Sequence, residues 1–154
     1  MRALVLLALA LAGCTVVSIK AYDGPERSDS ELGILETEYR DDTFLSSDTA
    51  IAAIDDKKFD KRRYSARILP GPHSIGIDHM LRVSRQKRGQ YCVFALSVEA
   101  CCTYRPALPG YPRAALDGPA DAQWKVDSFM TMAVECADMT YASRLPVQCA
   151  SRAP

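Results

Sequence analysis

The chain has 154 residues, with 19 basic and 19 acidic side chains that balance to a formal net charge of zero at neutral pH. This length suits one compact domain that buries a real core without a metal to hold it. The charge balance argues against a dedicated nucleic-acid binder, which shows a strong basic excess, so nucleic acid is not an expected partner.

Taken in chain order, the first element is a targeting signal. Arg2 forms a short positive n-region, and Ala3 to Leu11 is an unbroken apolar run. A membrane-spanning helix needs about 20 apolar residues, so the run is too short to span and reads as a secretory signal. Its ending, Leu11-Ala12-Gly13-Cys14, resembles the bacterial lipobox. The resemblance implies lipidation of the Cys14 thiol, cleavage before Cys14, and a membrane partner held through the acyl chains. Two or more chains anchor stably, at about 0.8 kcal/mol per buried CH₂. Thr15 follows where an aspartate would signal retention, so the same resemblance implies the periplasmic face of the outer membrane. Cleavage leaves 141 residues with 18 basic and 19 acidic side chains. The expected organisation is a signal peptide over 1–13, an acylated anchor and short tether over 14–19, and one domain over 20–154.

Short strands separated by turns dominate the rest. Val16 to Tyr22 alternates in part, and Asp23-Gly24-Pro25 breaks it. Leu32 to Glu38 and Thr49 to Asp55 are further candidate strands, with a charged turn at Asp56-Lys57-Lys58. Tyr64 to Leu69 comes next, and Pro70-Gly71-Pro72 reverses the chain into His73 to Asp78, which alternates with the β period. A charged turn at Arg85 to Gly89 precedes Tyr91 to Val98, and the last candidates are Gln123 to Asp127 and Thr131 to Cys136. Residues 105–120, rich in Pro, Gly and Ala, read as an irregular surface loop. Strands at this spacing predict an all-β domain, a small antiparallel β-sandwich or a partly open barrel.

Several of these segments follow one another in a familiar order: Tyr22-Asp23-Gly24-Pro25, Glu31 to Leu35, Ile51 to Asp55, and Ile68-Leu69-Pro70-Gly71-Pro72-His73-Ser74-Ile75. This core resembles small bacterial lipoproteins with a PEGA-like or carbohydrate-binding-type β-sandwich, over roughly residues 20–80 with a looser match at Cys92 to Tyr104 and at Trp124. Asp56 stands where that pattern prefers glycine, and Cys101-Cys102 replaces its glycine turn. The resemblance implies a fold and an address, with no catalytic residues.

Beyond Cys14 there are five cysteines, Cys92, Cys101, Cys102, Cys136 and Cys149, so two bridges at most form within the chain and one thiol is left over. No Cys-x-x-Cys occurs and neither histidine adjoins a cysteine pair, so no metal site or other cofactor is expected. The vicinal pair reads as neighbours on opposite faces of a strand with one bridged to Cys136 or Cys149. The alternative is thiol redox activity at Cys101 and Cys102. His73 after the Pro-Gly turn suits a bond to a turn carbonyl. With His79 six residues on, the two share a face without a third ligand.

Catalytic signatures are missing: there is no Gly-x-Ser-x-Gly, no His-Glu-x-x-His and no Gly-rich phosphate loop. An enzyme is therefore not expected. Two basic stretches stand out, Lys57, Lys58, Lys61, Arg62 and Arg63, then Arg82, Arg85, Lys87 and Arg88. Meandering strands would bring both to one end, as candidate contacts for an anionic envelope partner such as headgroups, lipopolysaccharide phosphates or peptidoglycan carboxylates. The alternative is that they keep turns and edge strands soluble. The reading is a non-enzymatic envelope lipoprotein that is structural or binds an envelope protein or glycan. The alternative is an inhibitor or accessory subunit of an envelope enzyme or secretion complex, with 105–120 as its inserting loop.

Overall fold

The computed structural model describes residues 18–41, 45–83, 86–110, 117–119 and 123–152. The signal peptide, Cys14 and Arg85 lie outside them, as does much of the 105–120 segment. The fold is all-β. Its strands are β1 (Ile19–Lys20), β2 (Gly33–Glu36), β3 (Tyr39–Asp41), β4 (Leu45–Ile54), β5 (Lys57–Arg63), β6 (Ser65–Ile68), β7 (Gly71–Val83), β8 (Gln86–Val98), β9 (Thr103–Ala107), β10 (Lys125–Glu135) and β11 (Thr140–Arg152). They form one sheet in the order β1-β6-β2-β9-β10-β11-β8-β7-β4-β3, with β5 also on β4. The sheet curls into an open half-barrel. Pairing is antiparallel except for β1 with β6 and β2 with β9. Among the described residues no helix is long and apolar enough to cross a membrane.

Alternation along each strand fills the curl. Ile75 and Ile77 of β7, Cys92, Phe94 and Leu96 of β8, Met130, Met132 and Val134 of β10, and Val147 and Cys149 of β11 point to one core. Leu35, Ile51, Ile54, Ala66, Ile68 and Tyr104 join it from the other strands, so the two ends of the sheet share a single interior.

The chain itself ties those ends together. Only Tyr64 separates β5, on β4, from β6, on β2; only Thr37 and Glu38 separate β2 from β3. At this corner Thr37 N–H donates to Tyr64 O at 2.8 Å, and Thr49 N–H donates to Glu38 O at 3.1 Å. Both strands thus change partners within two residues, from one end of the sheet to the other. Strands that bend across a corner let a β protein cover its own apolar face.

Five strands depart from the expected map. β5 was expected as a charged turn and its end. It forms because the Asp55-Asp56 turn folds it back on β4, with Phe59 packed on the core and most of its charged side chains exposed. Asp55 takes φ 52°, a left-handed conformation that aspartate tolerates. Its carboxylate accepts Ser74 N–H at 2.9 Å and meets His73 Nδ1 at 2.8 Å, while His73 Nε2 lies 2.8 Å from Leu69 O. His73 is thus the clasp of two turns, and Gly71 between them takes φ 132°. β9 occupies the start of the expected 105–120 loop, while β3 and β11 fall where no strand was expected, although Leu145, Val147 and Cys149 of β11 alternate with the β period. The two segments expected at 123–127 and 131–136 are one strand, β10.

Both bridges join neighbouring strands: Cys92 with Cys149 links β8 to β11, and Cys102 with Cys136 links the start of β9 to the end of β10. The β10–β11 hairpin is therefore stapled on both flanks, which fixes its register against slippage. Cys101, exposed, keeps a free thiol that donates to Ser30 O at 3.0 Å. It sits in a turn at φ 61° rather than in a strand.

Two outcomes follow from this packing. A Cβ at Gly33 would collide with Val98 Cγ1 and crowd Glu99 O, so Gly33→Ala should destabilise the domain by about 1–3 kcal/mol in urea unfolding. Replacing Cys92 and Cys149 together by alanine opens a loop of 57 residues and should cost roughly 2–4 kcal/mol in the same measurement. Unchanged midpoints in either variant would show that the contact or the bridge is not part of the folded state.

Candidate functional site

The face of the sheet opposite the core carries the chemistry. Because Ile75 and Ile77 point inward, Asp78, Met80 and Arg82 of β7 point outward. Their partners on β4 are Ala50, Asp48 and Ser46, and on β8 they are Tyr91, Gly89 and Lys87. Arg62 of β5 ion-pairs with Asp48, whose other oxygen accepts the Tyr64 hydroxyl at 3.0 Å. Asp48 is buried at 9% exposure, and these two contacts satisfy it. Arg152, at the end of β11, pairs with Asp78 of β7. It crosses β8 where Gly89, its register partner, leaves room.

Two cavities of about 260 Å³ each open on this surface and share Asp48, Arg62 and Met80. One is bordered by Asp78, His79, Gln90 and Arg152, the other by Tyr39, Ser46, Arg82 and Lys87. In the second, members of the two basic stretches meet. Arg82 and Lys87 are exposed, stand directly opposite each other in the β7–β8 register, and have no acidic partner among the described residues. Like charges at such a pair position destabilise a sheet. With Asp48 engaged by Arg62 and Asp78 by Arg152, the cleft keeps two positive charges without an acidic partner among the described residues, beside the Tyr39 and Ser46 hydroxyls. An anion bound there would relieve that repulsion.

The other predicted residues are placed differently. Lys57 sits at the β4–β5 turn and is exposed, as is Lys61. Lys58 borders a separate cavity of about 450 Å³ with Phe59, Tyr91 and Arg152, and Arg63 is half-buried opposite Ile51. Arg88 departs from the expected surface set. It has the parity of Cys92 and Phe94, is 5% exposed, and donates from Nη2 to Gly118 O at 2.7 Å. Its role is to hold the segment after β9 over the inner face, aided by Gln90, whose amide donates to Pro109 O at 3.4 Å.

His79 lies on the inner side of β7, sharing a hydrogen bond of 2.9 Å with Thr49 Oγ1. Six residues of strand, about 20 Å, separate it from His73, so the two are not co-ligands. Glu99 stands near Cys102 and Cys136, but the disulfide withdraws both sulfurs as thiolate ligands.

Asp48, Tyr64, Asp78 and Arg152 were missed as cleft residues. The polar Ser46-Ser47-Asp48 run gave no apolar period to place Asp48, and the alternation of β11 does not say that it pairs with β8, the long-range contact that brings Arg152 to the cleft. The only early signal was the spacing of the basic residues.

Burial holds the His79 imidazole below the usual histidine range. Partial burial pushes the Asp55 carboxyl up, but the bonds from His73 and Ser74 outweigh it and hold the group below its usual value. In both cases the unfolded chain binds the proton more readily, so stability falls on acidification. The His79 contribution is lost as pH falls below about 6.5, and that of Asp55 only below about 4. His79→Gln should flatten the difference in unfolding free energy between pH 7.5 and 5.5; an unchanged difference would remove His79 as its source.

Compared with protein-family models, with curated proteins and with solved structures, the chain matches none of them.

Proposed function

We propose that this protein is a lipid-anchored cell-envelope protein with a non-enzymatic binding role, and that it takes an anionic envelope component in the cleft of Arg62, Arg82 and Lys87. The observation that carries the binding role is the Arg82–Lys87 pair: two uncompensated cations in direct register beside a cavity of about 260 Å³. A protein selected for stability alone gains by placing a carboxylate at one of these positions. The anchor is supported by the Arg2 to Cys14 sequence, an apolar run ending in Leu-Ala-Gly-Cys. Two disulfides suit an oxidising envelope compartment. The chemistry of the cleft is that of recognition, with arginine forks and a lysine ammonium offered to phosphate or carboxylate oxygens.

Two measurements test this reading. Cys14→Ser should abolish incorporation of labelled fatty acid and release the protein from the membrane fraction; a variant that stays lipidated would sink the anchor. Arg82→Glu creates a cross-strand ion pair with Lys87, so it should leave stability equal or raised by up to about 1 kcal/mol. The same substitution should weaken binding to anionic envelope fractions about tenfold or more, the loss of one charge-assisted contact plus an added repulsion. Undiminished binding by this stably folded variant would remove the cleft as the site.

A further inference from the structure

The position where the chain enters the domain says which surface the anchor holds near the membrane. Ser65 Oγ donates to Ser18 Oγ at 2.9 Å, and β1 then runs parallel to β6 from that corner. Three residues, Thr15 to Val17, separate Ser18 from Cys14, so the two Cα atoms lie within about 14 Å of each other. Arg62 is three residues before Ser65 on the adjoining strand, about 10 Å away along the chain. An acylated Cys14 therefore keeps β5 and the neighbouring cleft within reach of the headgroup layer.

That surface is the basic one. Lys58 and Arg62 are exposed on the outer side of β5, Arg82 and Lys87 lie beside Arg62, and Lys57 and Lys61 are exposed along the other edge of the same strand. The acids among them are largely engaged: Asp48 by Arg62, Asp78 by Arg152 and Asp55 by His73, leaving Asp56 and Asp60. None of Lys57, Lys58 and Lys61 is ion-paired with another described residue. Elsewhere several cations are balanced, Arg67 by Glu26 and Asp29, Lys20 by Glu26, and Arg105 by Glu36 and Glu135, while Lys125 and Arg144 have no acidic partner among the described residues.

We infer that this face lies on the membrane that carries the anchor and contacts its anionic lipid headgroups, with a headgroup phosphate in the cleft of Arg62, Arg82 and Lys87. The inference rests on acylation of Cys14 and names the anionic partner of the proposed function. A basic surface beside an acyl anchor supplies the second signal that makes attachment stable and sets the domain's orientation.

The test uses the full chain, processed in a lipoprotein-making cell and reconstituted into phosphatidylcholine vesicles or vesicles rich in phosphatidylglycerol. The mass of the N-terminal peptide reports the lipid, and an amine-reactive reagent followed by mass spectrometry reports each lysine. Labelling of Lys58 and Lys87 should be about fivefold slower on the anionic vesicles, with the difference erased by high salt. In the exposed double variant Lys58→Glu, Lys61→Glu, the slowing at Lys87 should shrink. Equal labelling on the two vesicle types, with the lipid present, overturns the headgroup contact alone. A chain without the lipid overturns the anchor and this inference with it.

Discussion

The structure depends on one constraint: a sheet that is apolar on one side, with no helical layer among the described residues to cover it, has to be closed over its own face. Ile75, Phe94, Met132 and Val147 would otherwise form a continuous exposed apolar surface. The bends at Tyr64 and at Thr37–Glu38 solve this by carrying two strands from one end of the sheet to the other. Ile51 and Ile68, which belong to opposite ends of the strand order, then share a core. Everything on the outer face, including the cleft, inherits its geometry from that curl.

The inner and outer faces carry different obligations. Inside, several polar groups are held: Arg88 reaches Gly118 O through Nη2, Gln90 reaches Pro109 O, and Thr49 and His79 bond to each other. A buried donor left unmade costs about 1–3 kcal/mol, so these contacts are conditions of the fold. Outside, the Asp48–Arg62 and Asp78–Arg152 pairs are partly solvated and add little stability. What they do is consume the carboxylates. The positive potential of the face thus arises from the way acids are allotted among bases, in a chain whose total charge is zero.

Much of this was legible in the sequence where side-chain alternation was strong. Ile75 to Ile77 and Tyr91 to Val98 announced the central hairpin, the Pro-Gly turn announced its entry, and an odd cysteine count announced a spare thiol. The length of β7 and β8 was not legible, because His79, Arg88 and Gln90 put polar side chains at inward positions, where an isolated reading expects apolar ones. β5 was hidden for a related reason: with Phe59 as its single apolar contribution, pairing across the Asp55-Asp56 turn determines it. The basic residues were visible as two stretches, but their meeting depends on β4 lying between β5 and β7. That pairing is long-range, and no local pattern encodes it. Arg88 differs from Lys87 by one position, and strand parity alone sends one inward and the other out.

The place of β11 in the sheet has a consequence for how the protein comes into being. The last strand in the chain lies near the middle of the strand order, between β10 and β8. Until it arrives, β8 presents an open edge along Gly89 to Val93, and Cys92 has no partner. A chain that emerges N-terminus first during synthesis cannot complete its centre before β11 is out. During that interval the exposed edge invites pairing with other chains. Maturation is therefore a race between the delivery of one terminal strand and capture of the gap it leaves, so a chaperone that guards this edge would act on the half-emerged chain rather than on the finished domain.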